Sequence, residues 1–234
     1  MLLLTLLLFL TAIPDLSLGK SGISLELQKE IVDKHNEMRR NVQPTASNML
    51  KMTWNEKLSD GSKRWNDECQ TKTIPPEERM LDGVMCGQNT FQATLPASWP
   101  KILDYWKSKS RLFKYGVGPL DPQKPIYRYT QAIWYRSHQI GCSVSQCPAY
   151  RQKYLYSCLY CPAGNIFSRK TKPYKEGPPC GDCPDHCENK LCTNPCENRD
   201  QFLNCAELKK QVGCEKANST GKCQATCDCQ NKIN

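Results

Sequence analysis

Histidine is scarce in this chain of 234 residues, occurring only as His35, His138 and His186. The zinc-protease signature H-E-x-x-H is absent, as is the G-x-S-x-G turn that presents a nucleophilic serine. Past the first 13 residues no stretch is apolar enough to cross a bilayer, which takes about 20 residues in a helix. There is also no basic-aromatic module of the kind that reads nucleic acid. These gaps exclude the common hydrolase constellations, a membrane-spanning segment in the body of the chain, and nucleic acid as a partner.

Cysteine, by contrast, is abundant, with 16 residues. The N-terminal run MLLLTLLLFLTAIPDLSLG is apolar, is cut short by Pro14 and Asp15, and ends in the small-x-small pattern Ser17-Leu18-Gly19. Residues 1–19 are therefore expected to be an export leader, leaving a secreted, extracellular protein that starts near Lys20. An even cysteine count in an exported chain implies eight disulfides. The spacings Cys158-x-x-Cys161 and Cys180-x-x-Cys183 keep a zinc-knuckle reading open beside that one.

Six cysteines are spread up to residue 161, and ten crowd between 180 and 229. Between the two groups, KPYKEGPPCGDC reads as a linker. Charge divides at the same place. Residues 20–179 hold 25 Lys+Arg against 14 Asp+Glu, a net +11, while residues 180–234 hold 7 against 8, a net −1. Helical spacing links Leu27, Ile31, Val32, His35 and Met38, then Leu58, Gly61, Ser62, Trp65 and Cys69, then Ile102, Leu103, Trp106 and Phe113. His35 falls on an apolar stripe and reads as a core histidine. The segments RYTQAIWY, QIGCSVSQC and YLYSCLYC are β-branched and aromatic, and read as strands. Helices first and strands later predict an α+β fold, with helices layered on a small antiparallel sheet. The tail is too short for a sizeable core, so its bridges must hold it together.

HNEMRRNVQPTASNMLKMTW, YRYTQAIWY, YLYSCLYCPAGN and PPCGDCPDHCENKLCTNPC together closely resemble the cysteine-rich secretory proteins, the CRISP branch of the CAP superfamily. The resemblance runs from about Leu27 to the C-terminus. It implies a CAP (SCP-like) domain over residues 20–165 folded as an α-β-α sandwich, a linker and disulfide hinge over 166–195, and a small helical cysteine-rich domain over 196–234. That last domain would be similar to ion-channel-regulator toxins. The family's pairing, carried over by cysteine order, would join Cys69–Cys147, Cys86–Cys161, Cys142–Cys158, Cys180–Cys187, Cys183–Cys192, Cys196–Cys229, Cys205–Cys223 and Cys214–Cys227.

Proteins of this family usually carry a cleft of two histidines and two glutamates suited to zinc. Matched motif to motif, those positions hold Thr73, Gln88, Lys109 and Arg128 here. No metal and no cofactor are expected, and with the cleft's ligands gone no enzyme activity either. Lys109 and Arg128 either pair with acids such as Asp104, Glu77 or Glu78, or make an anion site for a glycan or lipid head group with Lys101, Lys107, Arg111 and Lys114. The resemblance implies two roles. One is a venom-type toxin or regulator that impairs an ion channel; the other is a reproductive-tract or sperm-surface protein that binds in fertilisation. Phe202 and Leu203 are the candidate channel contacts. In the tail interval Glu215 to Lys222, Lys216 has no aromatic neighbour and Asn218-Ser219-Thr220 is a glycosylation sequon, which argues against simple pore plugging.

Overall fold

The computed structural model describes residues 23–70, 72–202 and 204–234. Residues 1–22, which include the expected export leader, lie outside the described residues, as do Thr71 and Leu203. In chain order the elements are α1 (Leu25–Arg40), β1 (Thr53–Trp54), α2 (Glu56–Asp67), β2 (Met80–Leu81), β3 (Val84–Met85), β4 (Gly87–Ala93), α3 (Trp99–Lys107), β5 (Phe113–Lys114) and β6 (Gly118–Pro119). They continue with α4 (Tyr127–Ala132), β7 (Gln139–Gln146), β8 (Tyr154–Cys161), β9 (Cys187–Glu188), β10 (Leu191–Cys192), α5 (Cys205–Ala217) and α6 (Gln224–Asp228). Among these described residues no helix is long and apolar enough to cross a membrane.

Side chains alternate across the central sheet, whose order is β1-β7-β8-β4. On one face Ile140, Cys142, Tyr156, Cys158 and Tyr160 pack with Ile31 of α1 and with Trp99, Ile102, Leu103 and Trp106 of α3. On the other, Leu159 and Cys161 meet Leu58 of α2. The result is the α-β-α sandwich that the resemblance implies. The α2 side is unusually polar inside. Ser62 Oγ lies 2.7 Å from both Ser143 Oγ and Ser157 Oγ, and Asn66 Nδ2 donates to Ser143 Oγ at 2.8 Å. Small residues let the helix backbone sit almost on the strand: a Cβ on Gly141 would fall 2.2 Å from Ser59 N. No imidazole joins this serine cluster, so its hydroxyls satisfy one another and tie two layers together.

Two expectations about the sheet need correction. β1 runs parallel to β7, so the sheet is mixed. RYTQAIWY is not a strand, because Tyr127–Ala132 form the short helix α4. Tertiary partners override the β-favouring composition there. Gln131 Nε2 donates to Ser137 Oγ at 3.1 Å, Gln131 Oε1 accepts from Gly164 N at 3.0 Å, and Thr130 Oγ1 donates to Asn165 Oδ1 at 2.6 Å. The third helical stripe also ends sooner than its spacing suggests. α3 stops at Lys107, a 3-10 turn covers Ser108–Leu112, and Phe113 belongs to β5.

The expected linker is a docked strap. Ser47 N donates to Lys175 O at 2.9 Å, Asp182 N to Ser47 O at 3.0 Å, and Cys192 N to Met49 O at 2.8 Å. Tyr174, Cys180, Cys183, Leu191, Cys192 and Ile233 are buried in one cluster with Met38, Val42, Met49, Ile133 and Trp134. Pro, Gly and charge in KPYKEGPPCGDC mark turns, and turns can be packed. At the centre of this region lies Arg39, 1% exposed. Its guanidinium donates to the carbonyls of Leu50, Ala132, Trp134 and Tyr135 at 2.8–3.0 Å.

The tail folds around sulfur. Its two buried groups are Cys205, Ala217, Cys223 and Cys227, with Leu208 and Cys214 half-buried beside them, and Cys196, Ala225 and Cys229. α5 is broken at Gly213, where φ of 74° suits a residue without a Cβ. The eight bridges are Cys69–Cys147, Cys86–Cys161, Cys142–Cys158, Cys180–Cys187, Cys183–Cys192, Cys196–Cys229, Cys205–Cys223 and Cys214–Cys227.

Candidate functional site

Gln88 stands on β4 with α4 packed nearby. Its Oε1 accepts from Ile74 N at 2.9 Å, while its Nε2 is buried without a partner. Thr73, next to Ile74, is exposed in the loop before β2. Arg128, on α4, donates from Nε to Thr90 O at 2.8 Å. With Thr90, Phe91, Gln92, Tyr105 and Gln152 it lines a shallow recess of about 320 Å³. Lys109 sits in the 3-10 turn after α3, its Nζ 4.3 Å from the centroid of the Tyr105 ring. Lys109 and Arg128 thus meet through Tyr105, and Gln88 belongs to the Ile74 side of β4.

Neither cation pairs with the acids named for it among the described residues. Asp104 lies 3.5 Å from Lys34, and Glu77 and Glu78 are exposed in the turn before β2. The wider basic ring is also divided. Lys107 bonds Glu37 at 2.8 Å and, with Arg111, Phe113 and Tyr129, lines a separate groove. The four residues that the resemblance sets at the family's ligand positions do not fit a divalent metal. They offer no imidazole, carboxylate or thiolate, the one amide oxygen already accepts a backbone N–H, and two of the four carry positive charge. Among the described residues the one cluster with metal-like spacing is Cys180, Cys183 and Cys192. Its sulfurs are spent in the Cys180–Cys187 and Cys183–Cys192 bridges, as are those of Cys158 and Cys161 in theirs.

Beneath this cleft runs a buried polar chain. His35 Nδ1 is 2.7 Å from Ile31 O, an obligate acceptor, so Nδ1 carries the proton. Nε2 then accepts from Tyr160 OH at 2.9 Å, and Tyr160 OH accepts in turn from Asn89 Nδ2 at 3.2 Å. Burial holds His35 neutral and lowers its pKa from 6.5 to about 4, against the opposing pull of the Ile31 carbonyl. The unfolded chain therefore binds a proton that the folded chain refuses, and the stability is present above pH 6.5 and lost as pH falls towards 4. The difference is worth about 3 kcal/mol. Thermal unfolding with disulfides intact should weaken across that window, and His35→Gln should flatten the slope. His138 adds to it with the same sign, because burial also lowers its pKa although Glu197 Oε1 lies 3.5 Å away.

That His138–Glu197 pair crosses from the sandwich to the tail. With Val84, Arg136, Pro162 and Arg199 it lines a cavity of about 400 Å³ between them. On the tail surface Phe202 is 48% exposed. Gln201 N donates to Lys222 O at 2.7 Å, and Lys222 Nζ donates back to Gln201 Oε1 at 2.7 Å. A lysine is thereby placed beside the residue that precedes Phe202, a proximity hidden by 20 intervening positions in the sequence. Asn218 caps α5, its Oδ1 accepting from Cys223 N at 3.0 Å.

Comparisons with known proteins follow the same division. Residues 32–160 match the profile of the Cysteine-rich secretory protein family (CAP), and residues 180–234 match the Crisp profile. The chain is 45% identical over 242 residues to the Cysteine-rich venom protein helothermine of Heloderma horridum horridum, covering 100% of both. Among solved structures it is similar to Na-ASP-1 (TM-score 0.62, 25% identity, 74% of this chain and 48% of that one). It is likewise similar to NaASP2 with Zn2+ (TM-score 0.61, 24% identity, 75% of this chain and 99% of that one). The order of motifs, the layered fold, the cysteine-rich tail and the full-length likeness lead to one conclusion: this chain belongs to the cysteine-rich secretory protein family.

Proposed function

We propose that the protein is secreted and acts without catalysis, by binding an ion channel or another cell-surface receptor through its cysteine-rich tail, with the basic first domain contributing. The observation that carries this reading is the full-length likeness to a venom protein, which extends through the tail. Phe202, with Lys222 held beside its neighbour Gln201, supplies an aromatic and a cation on one crosslinked surface. A rigid surface loses little conformational freedom on binding. The tail's net charge of −1 does not attract a cation-selective pore, whereas the +11 of residues 20–179 attracts an acidic channel vestibule or the membrane around it. Asn218 stands as the glycan acceptor of this surface, and a glycan there would keep the Lys216 side clear of a pore.

Whole-cell recording on a panel of voltage-gated potassium and calcium channels tests the reading. The full chain should reduce current in at least one, and Phe202→Ala should raise the half-blocking concentration at least about tenfold. The full chain is the right reagent, because Ile233 and the hinge cysteines pack into the sandwich core. No current change on any channel, together with saturable binding to sperm or other cell surfaces, would instead support the adhesive reading.

A further inference from the structure

The segment between β8 and the hinge carries an apolar tip that the function above does not use. Phe167 is 82% exposed and Ile166 50% exposed. Beside them, Val117 at the β5–β6 turn is 59% exposed, and Tyr127 is 52% exposed. The parts adjoin in space: Gly116 N donates to Thr171 O at 2.8 Å, and Asn165 Nδ2 donates to Tyr127 O at 2.9 Å. This is not a frayed loop, because both its ends are pinned. Ala163 N bonds Met85 O at 2.8 Å on one side, and Tyr135 N bonds Pro173 O at 2.9 Å on the other. The protein therefore holds bulky apolar side chains in water on a braced strap.

Cations follow the tip along the strap, the first of them, Arg169, donating to Tyr135 OH at 3.1 Å. The strap from Pro162 to Lys175 contains Arg169, Lys170, Lys172 and Lys175 and no acid, and Lys114 stands at the base of the neighbouring turn. Lys170 Nζ lies 4.5 Å from the Phe167 ring centroid. Among the described residues only Lys175 of the four is in an ion pair, with Asp182 at 2.8 Å. A protruding aromatic and aliphatic tip collared by long cationic side chains suits the boundary of an anionic bilayer. The tip enters the acyl edge, and lysine stems reach back to the phosphates. A protein partner would instead need a broad flat area of roughly 800 Å² on this side.

We propose that Ile166 and Phe167, with Arg169, Lys170 and Lys172, form a docking site for membranes rich in anionic phospholipid. The site is separate from the Arg128 recess and from the Phe202 surface, and its action needs no channel. By it the chain would concentrate on cell surfaces in two dimensions before meeting any receptor.

Sedimentation of the full chain with phosphatidylcholine vesicles, with and without phosphatidylserine, tests the proposal. Binding should appear with phosphatidylserine, weaken at high salt and be negligible without it. The paired variants Ile166→Ser/Phe167→Ser and Lys170→Glu/Lys172→Glu should each lower binding at least about tenfold. Lys109→Ala/Arg128→Ala should leave it unchanged. All these side chains are exposed or half-buried, and circular dichroism of each variant should match the parent. Equal binding to neutral vesicles, no binding at all, or binding lost only in the Lys109/Arg128 variant would each overturn the proposal. Because the vesicles hold no channel, the result is independent of the recordings that test the channel reading.

Discussion

Replacing Arg39 by methionine is expected to destabilise the folded chain by about 3–5 kcal/mol, the cost of leaving buried polar groups without partners. The guanidinium is fully enclosed and, among the described residues, has no carboxylate in an ion pair with it. Its charge is balanced by four carbonyl dipoles that converge from the loop after α1 and from the end of α4. Trp134 O and Tyr135 O keep second donors in Ser137 N and Leu50 N. Leu50 O and Ala132 O rely on Arg39 and would be left unpaired in the core. Arg39→Lys should recover only part of the loss, since one ammonium cannot reproduce a planar fork spanning the same four oxygens. Equilibrium unfolding in guanidinium chloride with disulfides intact measures both variants; equal midpoints for parent and Arg39→Met would refute the role.

The second large effect belongs to the tail. Cys205→Ala/Cys223→Ala removes a bridge of sequence separation 18, and the loop-entropy relation puts its loss near 3 kcal/mol. Most of the side chains buried in the tail are themselves cysteines, so no apolar core remains to oppose that loss. Residues 204–228 should open while the sandwich stays folded, because the sandwich carries its own clusters and its own three bridges. Hydrogen exchange should then show α5 and α6 unprotected and β7 and β8 unchanged. Uniform loss of protection over the whole chain would mean that the tail and sandwich unfold as one unit.

The parts of the fold legible in the sequence are those where local pattern and burial agree. The Ile31–His35–Met38 stripe becomes α1, and QIGCSVSQC and YLYSCLYC become β7 and β8 because they are buried on both faces. α4 was hidden for the opposite reason: Tyr, Thr, Ile and Trp favour strands, and the helix depends on Gln131 and Thr130 bonding residues far along the chain. β4 begins Gly87-Gln88-Asn89, polar enough to pass for a loop. A Cβ on Gly87 would meet Gln131 Oε1 at 2.0 Å, a closeness no local window reports. Nothing in the run MRR sets Arg39 apart from its neighbours, and only the fold reveals the carbonyls that meet it.

The site was legible in its chemistry and less so in its layout. At the positions that the resemblance assigns to the family's ligands, the residue types Thr73, Gln88, Lys109 and Arg128 alone show that no imidazole or carboxylate is offered. Their grouping could not be read that way: Gln88 faces Ile74, and Lys109 and Arg128 share Tyr105 instead of a common basin with Lys107 and Arg111. Lys222 beside Gln201 was likewise invisible, because the disulfide-bonded turn that brings them together has no periodic signature. The docking of the hinge has the same cause: its turn-forming residues are plain in the sequence, while the backbone bonds that tie it to Ser47 and Met49 depend on the distant loop after α1.

In the proposed function the molecule acts by its crosslinked surface, and the cleft of Gln88, Lys109 and Arg128 offers a divalent ion no imidazole or carboxylate. Zinc content, measured by mass spectrometry after the full chain is equilibrated with zinc and passed through a desalting column, tests this most directly. Zinc far below stoichiometric is predicted, and unchanged by Gln88→Ala. Stoichiometric zinc that survives a chelator wash and is lost on Gln88→Ala would contradict the account.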